Sequence, residues 1–123
     1  MYRLLNQERV CEPDKPAPRI EVITLDVNLE QLPGVELLVS WDSGTDRFFT
    51  GFKPELGLGY GDFTMVPEVS YSVVVVAGSP PVSGLRVENC PVSEGGQAGG
   101  WRLTFQNTQF SQATATPEPT STR

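Results

Sequence analysis

Few side chains in this sequence are equipped for chemistry. There is no histidine, which removes the commonest general base and the commonest metal ligand. The chain has no Gly-x-Ser-x-Gly elbow, no phosphate-loop Gly-Lys-Ser/Thr, no Cys-x-x-Cys and no zinc-ligand spacing. A glycosidase-like pair of acids would have to face each other about 5 to 10 Å apart across a cleft, and a small β domain seldom folds around one. The run Gly95-Gly96-Gln97-Ala98-Gly99-Gly100 has the glycines of a phosphate cradle but neither the lysine nor the helix start that would use them. It reads instead as a mobile hairpin loop. A non-catalytic protein is expected.

Three groupings remain. Cys11 and Cys90 are the only thiols. Joined, they would close a loop of about eighty residues and stabilise the fold by roughly 4 to 5 kcal/mol on the chain-entropy account; unjoined, they would be two buried, inert thiols. Asp42 and Asp46 flank Ser43-Gly44-Thr45, where two carboxylates could share a Ca²⁺ with backbone carbonyls. Asp and Gly are also ordinary turn residues, and the third carboxylate and distal Glu of a calcium loop are missing. Glu55 and Asp62 would add oxygens only if their loop folded back. No cofactor is expected, with Ca²⁺ the one candidate. The third grouping is aromatic: Phe48, Phe49, Phe52 and Tyr60 lie in or beside the segment Phe52 to Gly59. Phe48, Phe52 and Tyr60 would make the shallow platform of a glycan-binding face, with core packing as the alternative use of such rings.

The elements that would carry these groups are all strands. Tyr71 to Ala77, with four consecutive valines, is the most β-prone run and needs other strands to cover it. Val35, Leu37, Val39 and Trp41 alternate with Glu36, Ser40 and Asp42, the pattern of a half-buried strand. Trp101, Leu103 and Phe105 alternate with Arg102, Thr104 and Gln106 in the same way. Further strands are expected over Arg19 to Val27, Asp46 to Gly51, before Met65 and over Gly84 to Asn89. Turns fall at Leu32-Pro33-Gly34, Ser43-Gly44-Thr45 and Gly78-Ser79-Pro80-Pro81. The adjacent Phe48 and Phe49 leave the inward face of their strand undecided, and Phe52 to Gly59 reads as an ordered loop. Residues 1–18 form an N-terminal arm in which Pro13, Pro16 and Pro18 exclude helix from the second half and a short helical turn is allowed over Arg3 to Val10. Residues 19–110 form the domain. Residues 111–123, Ser/Thr/Pro-rich with no apolar side chain larger than Ala, form a disordered linker or tail.

About seven short strands with turns between them fit a single all-β antiparallel sandwich, Ig-like or transthyretin-like, with a small closed barrel as the alternative. The length suits one domain. The net charge of -6 argues against nucleic acid, which is bound by clustered Lys and Arg. No run is long and apolar enough for membrane insertion, and Met1 to Val10 lacks the apolar core of a signal peptide. The tail composition nonetheless points to an extracellular or cell-surface setting, so a fragment of a longer protein is expected.

Leu32-Pro33-Gly34-Val35-Glu36-Leu37-Leu38-Val39, Thr50-Gly51, Gly61-Asp62-Phe63 and Pro67-Glu68-Val69-Ser70-Tyr71-Ser72-Val73 follow one another in an order that resembles Cna protein B-type and carboxypeptidase regulatory-like domains. The resemblance covers about Ile20 to Ala77. It implies a transthyretin-like two-sheet sandwich serving as spacer, stalk or accessory module of a secreted bacterial protein, with other domains, cell-surface proteins or glycans as partners. Many Cna B-type domains also carry a Lys–Asn/Asp isopeptide crosslink beside a buried acid. Here Lys15 precedes the first strand, Lys53 lies in a loop and Asn107 ends the last strand; neither lysine occupies the position such a crosslink requires, and a disulfide would be the substitute staple. Two other roles fit the same sequence: a carbohydrate-binding module using the aromatic platform, and a subunit that pairs through an exposed edge strand into a larger extracellular assembly.

Overall fold

The structure, a computed structural model, describes residues 1–11, 17–94 and 96–108; Lys15 and the tail assigned to 111–123 lie outside them. The strands are β1 (Tyr2–Val10), β2 (Arg19–Leu25), β3 (Glu36–Trp41), β4 (Gly44–Phe49), β5 (Tyr60–Thr64), β6 (Tyr71–Val75), β7 (Val82–Leu85), β8 (Glu88–Asn89) and β9 (Ala98–Asn107). One sheet runs β1-β9-β2-β5, with β8 paired to the start of β9, and the other runs β4-β3-β6-β7. The two sheets make the expected sandwich, and among the described residues the only helical element is a 3-10 turn at Val92–Glu94.

Alternation drives the packing. Ile20 and Val22 of β2, Leu103 and Phe105 of β9, Leu37 and Val39 of β3, and Val73 and Val75 of β6 form one cluster, none more than 1% exposed. Each such side chain stabilises the fold by about 1.5 to 3 kcal/mol relative to exposure. The outward-facing residues are less apolar, but the valine run of β6 is covered on one face only: Val76, just beyond the strand, is 46% exposed. β2 and β9 pair in parallel, Ile20 opposite Trp101 through Leu25 opposite Gln106. The sandwich is therefore mixed rather than wholly antiparallel, and the long chain between β2 and β9 makes the parallel join possible.

Three segments depart from the sequence-based expectation, the least of them the strand expected over Gly84 to Asn89, which divides into β7 on the β6 edge of one sheet and β8 paired to β9 in the other because the chain crosses between the sheets there. The residues read as an N-terminal arm with a helical turn form β1, whose nine residues pair with β9 from Tyr2 opposite Asn107 to Val10 opposite Gly100, with a bulge between Leu4 and Asn6. Only Tyr2 of β1 is buried, so backbone pairing rather than burial makes it a strand. The glycine run is the second departure. Ala98, Gly99 and Gly100 belong to β9 rather than to a mobile loop. A Cβ on Gly100 would lie 2.1 Å from the Arg19 carbonyl oxygen, and one on Gly99 would lie 2.7 Å from the Cys90 sulfur. These glycines serve close backbone approach in a strand.

Candidate functional site

The site begins at a buried hydroxyl. Thr50, fully buried where β4 ends, donates its Oγ1–H to the Leu32 carbonyl at 3.1 Å and accepts the Val35 N–H at 3.1 Å. The Thr24 hydroxyl lies 3.1 Å from it and also contacts the Leu32 carbonyl at 2.7 Å. The Thr50 backbone pairs with Val35 and Gly34. Gly51 then turns the chain at φ +95°, where a Cβ would meet Pro33 at 2.8 Å, and its N–H bonds the Tyr60 carbonyl. At the far end of the loop, the Gln31 side chain accepts the Gly59 N–H at 2.8 Å. The segment between β4 and β5 is thus tied at both ends.

On this mount sits a pair of rings. Phe49 and Phe52 stack with centroids 5.8 Å apart and planes at 21°; Phe49 is 37% exposed and Phe52 is 78% exposed. They line a cleft of about 260 Å³ together with Arg47, Phe48, Lys53, Tyr60 and Asp62. Lys53 Nζ donates to both carboxylate oxygens of Asp62, at 3.0 and 2.9 Å, and the Tyr60 hydroxyl donates to Asp62 Oδ2 at 2.9 Å. Arg47 pairs with Glu36 across β3 and β4. Burial, with the Asp62 hydrogen bond next, pushes the Tyr60 hydroxyl well above the usual tyrosine range.

The structure brings the three proposed platform residues to one cleft but divides their roles. Phe48 pairs opposite Leu37 and points inward, stacking on Phe63, which in turn meets Trp41 and Tyr71. Tyr60 is 6% exposed and forms the floor. Neighbouring strand residues point to opposite faces, so Phe49, not Phe48, stands beside Phe52. Exposed Asp42 occupies the β3–β4 turn, and exposed Asp46 accepts the Arg47 N–H at 2.8 Å. Among the described residues no three His, Cys, Asp or Glu side chains cluster in a way that could hold a metal ion. Glu55 is exposed, and Asp62 is engaged by Lys53 and Tyr60.

Lys53 has its backbone in the loop, yet its side chain reaches an acid on β5. Glu21 lies opposite Asp62 in the β2–β5 register, so a lysine and two carboxylates do converge. The Lys53 side chain is 44% exposed and meets Asp62 as an ion pair; amide formation between two such groups needs them desolvated and neutral. Glu21 was not marked by its sequence context. It is 1% exposed and receives Nε and Nη2 of Arg102 at 3.0 and 2.9 Å. Its only sequence signal is a Glu set between Ile20 and Val22.

Cys11 and Cys90 are joined, with Cα atoms 5.8 Å apart. The disulfide binds the end of β1 to the chain just after β8. Nearby, the Arg9 guanidinium lies 5.4 Å over the Trp101 ring and pairs with Glu88, while Trp101 Nε1 donates to the Arg86 carbonyl at 2.9 Å.

No protein-family model and no curated protein matches the chain. Among solved structures, it is similar to the pilus adhesin SpaC from Lactobacillus rhamnosus GG in its open conformation, with TM-score 0.47 and 14% identity over 85% of this chain. A C-terminal fragment of the same adhesin overlaps with TM-score 0.47 and 13% identity over 97% of this chain. The chain spans 15% of the longer adhesin structure and 58% of the fragment.

Proposed function

We propose that this chain is a non-catalytic interaction module of an exported bacterial surface protein, and that it meets its partner through the Phe49–Phe52 stack. The observation that carries this reading is Phe52: 78% exposed, yet stacked on Phe49 in a loop tied down through buried Thr50. A large ring held out of the core by an ordered mount costs free energy of hydration without stabilising the fold, which suits a contact surface. The Cys11–Cys90 disulfide fits an oxidising compartment. The order of motifs from Leu32 to Val73, which resembles that of Cna B-type and carboxypeptidase regulatory-like domains, supports a bacterial accessory role. The test is Phe52→Ala, assayed for retention on bacterial or host surface proteins and glycans alongside thermal melting. Lost retention at unchanged melting supports the platform; unchanged retention leaves a spacer.

β1 favours a second reading, a subunit that pairs edge to edge. From Arg3 to Arg9 it is exposed on both faces, and it ends its sheet. Open strand edges template pairing with another chain. Sedimentation over a concentration series decides this one: a single monomeric species at every concentration removes it.

A further inference from the structure

Resting on the platform reading above, we infer that the Phe49–Phe52 cleft takes a neutral, polyhydroxylated ring, the pyranose of an uncharged glycan. Each charge lining the cleft already has an opposite partner: Arg47 meets Glu36, and Lys53 meets Asp62. An anionic ligand would have to compete with Glu36 for Arg47 and with Asp62, itself part of the cleft lining, for Lys53, so the attraction of these cations for it is largely cancelled. What the paired groups keep is unused hydrogen-bonding capacity. Lys53 directs two contacts at Asp62 and has three N–H donors; Arg47 has five and uses its Nη1 on Glu36. The Tyr60 oxygen donates to Asp62 and retains lone pairs at the cleft floor.

A ligand matched to this set must both accept from ammonium and guanidinium and donate to a phenol oxygen, and it must do so without charge. Hydroxyl groups do both. It must also present an apolar face to the phenyl stack, which the axial C–H groups of a pyranose supply. The volume agrees, since about 260 Å³ holds roughly one ring, below the range of drug-sized pockets. Further residues of a glycan chain would lie outside the cleft along exposed Phe52.

The test is calorimetric and NMR titration of the intact chain with neutral oligosaccharides (gluco-, manno- and xylo-configured) and with uronate- or sialate-bearing ones, at low and high salt. Saturable binding of a neutral oligosaccharide is expected, with an affinity that salt barely changes, shifts at the Phe52 and Lys53 amides, and about a tenfold or larger loss in Phe52→Ala. Lys53→Met, which keeps the bulk of the side chain and removes its donors, should weaken binding of the neutral oligosaccharide in titrations run well below the melting transition, which itself falls as Asp62 loses a partner. Preference for acidic oligosaccharides with salt-sensitive affinity would overturn the inference. So would absence of saccharide binding in a protein that retains a surface protein through Phe52, although the platform reading would then stand. If Phe52→Ala changes no binding of either kind, both fall.

Discussion

The Cys11–Cys90 corner and the Thr50 loop are two irregular regions that hold their shape by different means. β1 buries only Tyr2, so the hydrophobic effect gives it little reason to stay on the sheet; its β9 ladder and the disulfide retain it. The loop after β4 exposes Phe52, Leu56 and Leu58, yet it is held by hydrogen bonds converging on a hydroxyl sealed between the sheets. A covalent tie acts mainly by narrowing the unfolded ensemble. A buried hydroxyl acts only while the sandwich around it is dry. The first region should therefore report on redox state and the second on core integrity.

Removing the disulfide should have the largest effect. Cys11→Ser with Cys90→Ser is expected to cost about 4 to 5 kcal/mol in denaturant unfolding, and native-state amide exchange should quicken along β1 while the Phe49–Phe52 loop keeps its protection. Equal loss in both regions would break the contrast. Arg102→Met removes both guanidinium hydrogen bonds from buried Glu21 and should cost about 3 kcal/mol, read by the same unfolding curves. Thr50→Val should cost about 2 kcal/mol by leaving the Val35 N–H with one acceptor fewer; here protection is lost in the loop and retained in β1, the mirror image of the double Ser variant.

Alkaline pH sharpens the same point. The Tyr60 hydroxyl is raised in the folded state, so its contribution is fully present below the unfolded tyrosine value of about 10 and is lost as pH rises beyond it. Melting temperature should fall above about pH 10, and Tyr60→Phe should flatten that fall. Phe52→Ala should change stability least, within about 0.5 kcal/mol, while removing ligand retention. A large drop in melting would mean that the ring supports the fold rather than a partner.

The sandwich was legible wherever alternation met burial. β3 and β9 announce themselves because one face of each enters the core, whereas β6 is marked by its valines, whose run conceals that only one face is covered. β1 did not, since a strand held by its backbone alone needs no apolar period. The glycines of β9 were misread because flexibility is a property of the residue, whereas close approach to Arg19 and Cys90 is a property of the neighbours. At the site, the ring types were readable, but two adjacent phenylalanines carry no record of which faces the core. Glu21 carries no such mark for a related reason, and Thr50 shows in the sequence only as part of the Thr50-Gly51 turn, not as a buried hydroxyl. A buried polar side chain is recognised by its partners, and those lie on strands distant in sequence.

The Met1 carbonyl accepts the Thr108 N–H, and Tyr2 lies opposite Asn107. Tension applied at residues 1 and 108 would thus open the β1–β9 ladder like a zip, one rung at a time, instead of shearing all its rungs together. Peeling would stop at Cys11. From there the load passes through the disulfide to Cys90, bypassing every residue between them. The stretch so shielded contains the whole of β2 to β8 and the Phe49–Phe52 cleft. A chain tied this way can lengthen under a tug while the Phe49–Phe52 cleft stays outside the covalent path of the load.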